Sequence, residues 1–425
     1  MIFLAPLTKR LSQKMVVPGS KSVTNRALLM SAFAYGKSVI SGVLESDDCD
    51  ACLDVISRLG AEIERKEDIV GITGFGGKPL CMKNSLFLRS SGTLARFLPG
   101  MLTACQNTEF YLDATDQLKR RPLRTLLDAL RCLGADIDGD CLPFTIKGKM
   151  LKGGKLTISA SETSQYVSGL MMAAPLMDGS SEIVIADAKP DDENYIMMTY
   201  LMMRDFGIPI QKTENGFKIT SSPYRAKDYI IEADFNTALY FLALAALTES
   251  DIAVSNLRAD TVQPGLDFLK VLKKMGAVVY ADDNGIHVSG TGVLRGGFTI
   301  DMRKMAESAL TLAAMAPFLD APVTMTNLTH IRGHECDRLR AVVLNMERLG
   351  IKCDEFSDGV TIYPGKVRDN VILETFNDHR VAMSFSLTLL KGAGGGFSNP
   401  DCVKKTCPAY FTMLRSLGCD VQNRG

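Results

Sequence analysis

The 425-residue sequence carries no net charge, with Lys plus Arg and Asp plus Glu at 48 each. That balance removes any general attraction to nucleic acid or to a membrane surface, so an anion site must come from local clustering. Long apolar runs are missing too. The longest, ALTLAAMAPFL at 309–319, is far too short to cross a bilayer. The first residues, MIFLAPLTKRL, lack the basic leader, apolar core and small-residue cleavage site of a signal peptide, so none is expected. Histidine is scarce, at His287, His330, His334 and His379 only. His330 and His334 are four apart, but no further ligands accompany them and no metal site is expected. Eleven cysteines are scattered, and Cys49 and Cys52 form the single C-x-x-C. Asp47, Asp48 and Asp50 beside that pair disfavour a thiolate, and no second pair stands at zinc-ligand spacing. Reduced thiols in a cytoplasmic protein are the expectation.

What is present is an ordinary globular composition, 46% hydrophobic and 23% charged, in a chain long enough for two or three domains. One pattern recurs along it: a helical apolar period, a Gly, then a short β-like run. It reads CLDVISRLGAEI, LLDALRCLGADI, YLMMRDFGIPI, FLKVLKKMGAVV, VLNMERLGIKC and YFTMLRSLGCDV. The glycines are Gly60, Gly134, Gly207, Gly276, Gly350 and Gly418, spaced by 74, 73, 69, 74 and 68 residues. Gly directly after the last apolar turn is the expected left-handed helix stop. An earlier helix and strand precede each stop, as in NRALLMSAFAYGKSVISGV, so the chain reads as six α/β units. The period is too long for a common solenoid. The earlier helices are apolar all round, which predicts burial inside the domains.

Each of those helices begins with polar or charged residues: GSKSVTNR (19–26), SSGTLAR (90–96), ETSQ (162–165), DFNTA (234–238), AES (306–308) and NDHR (377–380). N-capping explains the Ser and Thr. It leaves Lys21, Arg26, Arg96 and Arg380 unexplained, because cations at a helix N-terminus oppose the macrodipole. Six such ends brought to one cleft would form a strong anion site. The opening PGSKS is not a nucleotide P-loop, since Ser20 rather than Gly precedes Lys21 and no Gly lies in 13–17.

With these helix starts, the segments PGSKSVTNRALLM, SGTLAR, KRRPLRTLLDALRCLGADI, TSQYVSGLMMAAPL, GHECDRL, FNDHRVAM and KKTCPAYFTML identify the chain as similar to the enolpyruvyl transferase family, in order and over essentially its whole length. The resemblance implies a two-domain inside-out α/β barrel of six α/β units, three per domain, with the active site in the cleft between domains. The domains would comprise 14–225 and 1–13 plus 226–425. It implies transfer of the enolpyruvyl group from phosphoenolpyruvate to shikimate 3-phosphate with release of phosphate, no cofactor, no metal and a monomer. Both substrates are anionic small molecules, which suits a basic site.

By the same resemblance, phosphoenolpyruvate would be held by Lys21, Arg121, Gln165, Arg338, Arg380 and Lys405, with Gly92 and Thr93 at its phosphate corner. Glyphosate would compete there. Lys21 and Glu335 would handle the methylene proton, with Glu307 as a further acid/base. Ser22, Arg26, Thr163, Ser164, Gln165, Tyr195, Glu307, His330 and His334 would contact the acceptor.

Several positions depart from the family pattern, mostly on the acceptor side. Glu307 stands for an Asp, His334 for a Lys that touches the acceptor phosphate, His330 for an Asn, Asp192 for a phosphate-binding Ser and Phe97 for a Pro. Two readings follow. Either the phosphate is served by other basic groups such as Arg332 or Lys404, with His334 contributing as imidazolium, or the acceptor is a different hydroxy-carboxylate. A relative acting on UDP-N-acetylglucosamine would need a reactive loop Cys or Asp and would lack KRRP and NDHR. A silent metabolite-binding relative would not need Lys21, Glu307 and Glu335.

Overall fold

The computed structural model describes residues 1–80, 83–188 and 194–424. The chain divides into two compact units, 19–231 and 1–18 with 232–425. The crossings at 18/19 and 231/232 lie a few residues beyond those expected. The shift has a local cause: strand Ser12–Met15 pairs with Asp251–Val254, and strand Tyr229–Ile230 pairs with Tyr35–Ser41.

Among the described residues six four-stranded sheets repeat one topology. In the clearest copy, Lys155–Ile158 runs parallel to Ser180–Ile185, which is antiparallel to Gly216–Thr220, which is antiparallel to Ile210–Thr213. Helix Ser164–Ala173 links the first pair, and helix Asn194–Asp205 leads to the hairpin. Each unit of the chain holds three such sheets. Three sheets close with strands from far away in sequence, Ser12–Met15 beside Asp251–Val254 being one. Tyr229–Ile230 completes the first, and Ile2–Leu4 is inserted between Gly395–Phe397 and Val421–Asn423 in the last.

Gly60, Gly134, Gly207, Gly276, Gly350 and Gly418 all have positive φ, between 76° and 110°, as the helix stops require. The helices that they end are amphipathic. In Phe268–Met275, Phe268, Val271, Leu272 and Met275 are buried, while Lys273 and Lys274 are exposed. The other helix of each repeat is enclosed on all sides. Gly92–Thr103 is buried throughout and Phe235–Thr248 from Phe235 to Leu247. Such helices cannot carry charge along their length, so their polar residues concentrate at the N-terminal ends. Among the described residues no helix is long and apolar enough to cross a membrane.

Candidate active site

In the unit formed by 19–231, three buried helices begin at Lys21, Gly92 and Ser164. Gly19, just before the first, answers a packing need: a Cβ there would lie 2.0 Å from the carbonyl oxygen of Gly42. Ser20 occupies the N-cap position without making a cap bond, and its buried Oγ has no hydrogen-bond partner among the described residues. Lys21 Nζ lies 3.3 Å from Asp48 Oδ2, a carboxylate with 4% of its side chain exposed. Asp48 sits in the first turn of helix Asp47–Arg58, which Ser46 caps by accepting from Cys49 N–H.

The second helix start is built around Gly92. Ser91 caps it by accepting from Leu94 N–H, and Arg89 turns the chain in with φ +50°. Arg96 Nη1 donates to the Gly92 carbonyl at 2.8 Å. A Cβ at Gly92 would sit 2.8 Å from both Arg121 Nη1 and Arg96 Nη1, so a larger residue there would have to displace a guanidinium. Tyr166, fully buried, donates its hydroxyl to Pro122 O at 2.6 Å and lies beneath Arg96. It thereby fixes the segment that carries Arg121. Thr93 is buried, and Thr163 caps the third helix by accepting from Gln165 N–H, which leaves Ser164 and Gln165 half-buried at its first turn.

Arg26 was expected at the acceptor, but it is 1% exposed. Its donors reach Thr199 Oγ1 at 2.8 Å, Ser22 O at 3.0 Å, Tyr195 O at 3.3 Å and Ser168 Oγ at 3.4 Å. Its guanidinium lies 4.7 Å from the Phe97 ring centroid. Burial without a carboxylate among these contacts lowers its pKa to about 10, which still leaves it charged at neutral pH. Here Arg26 ties helix Lys21–Phe33 to helix Asn194–Asp205, holding the backbone of Ser22 and Tyr195. Asp192 lies outside the described residues.

In the other unit Arg338 is the centre, 1% exposed at the start of helix Arg338–Leu349. Its Nε donates to Asp378 Oδ2 at 2.8 Å, Nη2 to Glu335 Oε2 at 2.9 Å, and Nη1 to Glu307 Oε2 at 3.2 Å. Nη1 also approaches His334 Nδ1 at 2.8 Å. A guanidinium can only donate, so Nδ1 accepts and the ring proton is on Nε2. Burial, then Arg338, lowers the His334 pKa to about 4. The imidazolium expected at this position is therefore absent at neutral pH.

Arg380 Nε pairs with Glu307 Oε2, and Lys405 Nζ donates to Glu335 Oε1 at 2.9 Å. Burial would raise the Glu307 pKa, but Arg380 and Arg338 together hold it down at about 2. Asp378, fully buried, also accepts from Arg380 N–H at 2.8 Å as the N-cap of helix His379–Lys391. Two successive left-handed residues, Phe376 at φ +52° and Asn377 at +55°, turn Asp378 inward. Backbone strain of this kind persists where the surroundings over-determine it. His330 stands 6.0 Å from His334, ring to ring.

The EPSP synthase (3-phosphoshikimate 1-carboxyvinyltransferase) family matches residues 7–414. The chain belongs to this family. It is 41% identical to 3-phosphoshikimate 1-carboxyvinyltransferase 2 of Halalkalibacterium halodurans, over 98% of this chain and 94% of that one. The corresponding protein of Trichormus variabilis is 36% identical, over 97% and 98%. The chloroplastic one of Solanum lycopersicum is 34% identical, over 97% and 84%. A solved EPSP synthase from Acinetobacter baumannii superposes with a TM-score of 0.84 over 99% of both chains at 24% identity, which shows the shared fold.

Within this EPSP synthase family member, the sequence singled out most of the charged groups but not Asp48, Tyr166 or Asp378. In the sequence Asp48 stood only as one of three acids that disfavour a thiolate at Cys49 and Cys52. The basic groups expected to replace the family's Lys are already engaged. Arg332 pairs with Asp337 at 2.9 Å and Glu355 at 2.8 Å, and Lys404 with Asp401 at 3.0 Å. Among the described residues no group of three or more His, Cys, Asp or Glu could hold a metal ion.

Proposed function

We propose that the chain transfers the enolpyruvyl group of phosphoenolpyruvate to the 5-hydroxyl of shikimate 3-phosphate and releases inorganic phosphate, as a cytoplasmic monomer. The observation that carries this reading is the hydrogen-bonded cluster of Arg338, Arg380 and Lys405 with Glu307 and Glu335. Arginine and lysine at this density suit a substrate bearing both carboxylate and phosphate, and the carboxylates among them can move protons.

Arg121, Arg338, Arg380 and Lys405 bind phosphoenolpyruvate, with the Gly92–Thr93 turn at its phosphate. Ser22, Thr163, Ser164, Gln165 and Tyr195 serve the acceptor, and Arg26 positions Ser22 and Tyr195 from behind. In the addition step, Lys21 gives a proton to the methylene carbon, the acceptor oxygen bonds to the adjacent carbon, and its hydroxyl proton passes to Glu307. In the elimination step the carbon–oxygen bond to phosphate breaks. A methyl proton returns to the Lys21 amine, and phosphate leaves with the proton from Glu307. Glu335, bonded to Lys405 and Arg338, is the second group able to serve the methylene carbon. Such acid–base steps contribute about 10²–10⁴-fold each.

A coupled phosphate-release assay on the purified protein tests this. Release is expected with phosphoenolpyruvate plus shikimate 3-phosphate and not with either alone. Absence of release, or equal release with unphosphorylated shikimate, contradicts the reading.

A further inference from the structure

Every edge of the Arg338 guanidinium meets a protein acceptor. Asp378 takes Nε and part of Nη2, Glu335 takes Nη2, and Glu307 with His334 takes Nη1. Arg380 is held by Glu307 through its Nε. Counted as a cluster, Arg338, Arg380 and Lys405 are matched in charge by Glu307, Glu335 and Asp378, and His334 is neutral. A substrate anion that binds Arg338 must therefore take the place of an acceptor already there.

The three carboxylates differ in how firmly they are fixed. Asp378 has a fully buried side chain and also caps a helix. Glu335 is 10% exposed and is held from a second side by Lys405. Glu307 is the most exposed, at 24%, and reaches both arginines through the single oxygen Oε2. It lies in the short 3₁₀ segment Arg303–Ser308, interrupted at Met305 where φ is −139° and ψ 35°. Its side chain is also one methylene longer than that of Asp378, with one more rotatable bond.

We propose that Glu307 is an internal anion that occupies the arginine seat of phosphoenolpyruvate in the free enzyme and is displaced when that substrate binds. The inference rests on the assignment of Arg338 and Arg380 to phosphoenolpyruvate. Displacement does two things. It opens the guanidinium edges to a bidentate carboxylate or phosphate, and it takes Glu307 away from the cations that make it a weak base. The carboxylate then becomes basic enough to accept the acceptor's hydroxyl proton only once the donor is in place. Free enzyme consequently binds phosphoenolpyruvate more weakly than its cation count suggests.

Titration calorimetry with phosphoenolpyruvate alone, and with inorganic phosphate alone, tests this on wild type, Glu307→Asp and Glu307→Gln at low ionic strength. Each variant's melting curve is recorded first. Aspartate keeps the charge but not the reach to Arg380. The expected result is phosphoenolpyruvate affinity raised about tenfold in both variants. Unchanged or weaker binding in both overturns the inference. Tightening with Gln but not with Asp also overturns it, because charge alone and not occupancy then governs the site. If folded wild type and variants all fail to bind phosphoenolpyruvate, the assignment of the arginines fails, and the inference falls with it.

Discussion

Lys21 Nζ stands 3.3 Å from Oδ2 of the buried Asp48, which makes the lysine at the first helix start one half of an ion pair. Lys21→Met should lower kcat by about 10²–10⁴-fold, the range of a lost proton carrier. Asp48→Asn should cost less, about tenfold, because the ammonium remains to bind the substrate anion. Steady-state kinetics with Asp48→Glu as a rescue check this. Activity within a factor of about ten of wild type in Lys21→Met excludes an acid–base role.

A residue larger than Gly92 would have to displace the guanidinium of Arg121 or Arg96. Gly92→Ala should push Arg121 from the phosphate corner and raise the KM for phosphoenolpyruvate by about tenfold, with a smaller change in kcat. Glyphosate should compete with phosphoenolpyruvate in the wild type and inhibit the alanine variant less. Noncompetitive inhibition would contradict the assigned corner.

His334 Nδ1 accepts from Arg338 Nη1 at 2.8 Å, and burial and Arg338 lower its pKa to about 4. His334→Leu should therefore raise the KM for phosphoenolpyruvate, since a hydrogen bond to a charged group is worth about 1.5–3 kcal/mol. The KM for shikimate 3-phosphate should change less. A rise in the acceptor KM alone would restore His334 to the phosphate.

The same ring sets a pH effect on stability. Its folded pKa of about 4 is below its ordinary 6.5, so the unfolded chain binds the proton more readily. Stability should be full above pH ~6.5 and fall as pH drops towards ~4. His334→Gln should flatten that part of a plot of melting temperature against pH. An unchanged slope would show that other groups cause it.

Arg26 is buried and donates to four protein acceptors. Arg26→Met leaves Thr199, Ser168 and the Ser22 and Tyr195 carbonyls without their donor, at a cost of roughly 3 kcal/mol. A clearly lowered melting temperature is expected. An unchanged melt with a raised acceptor KM would place Arg26 on the substrate instead.

Much of this was legible in the residues. The six glycine stops announced the repeat because left-handed backbone leaves a residue-type signature. The charged helix starts stood out because the helices behind them are apolar. Ser91, Thr163, Asp234 and Asp378 prove to be true N-caps as well as members of polar helix starts. What was hidden depends on long-range pairing. Nothing local to Ile2–Leu4 or Tyr229–Ile230 tells which sheet each completes. Asp48 reads only as one of three acids around Cys49 until the fold brings Lys21 beside it. The His334 tautomer is set by Arg338 one turn on, and Arg26 faces inward because Thr199 and Ser168 wait there, far along the chain.

The central claim, enolpyruvyl transfer through protonation of the methylene carbon, is tested most directly by running the reaction in D₂O with phosphoenolpyruvate and shikimate 3-phosphate and analysing the product by NMR and mass spectrometry. The expected product is an enol ether at the 5-oxygen of the acceptor, with carbon-bound deuterium in its vinyl methylene, formed together with inorganic phosphate. Phosphate released without an enol ether, or an enol ether free of carbon-bound deuterium, would contradict it.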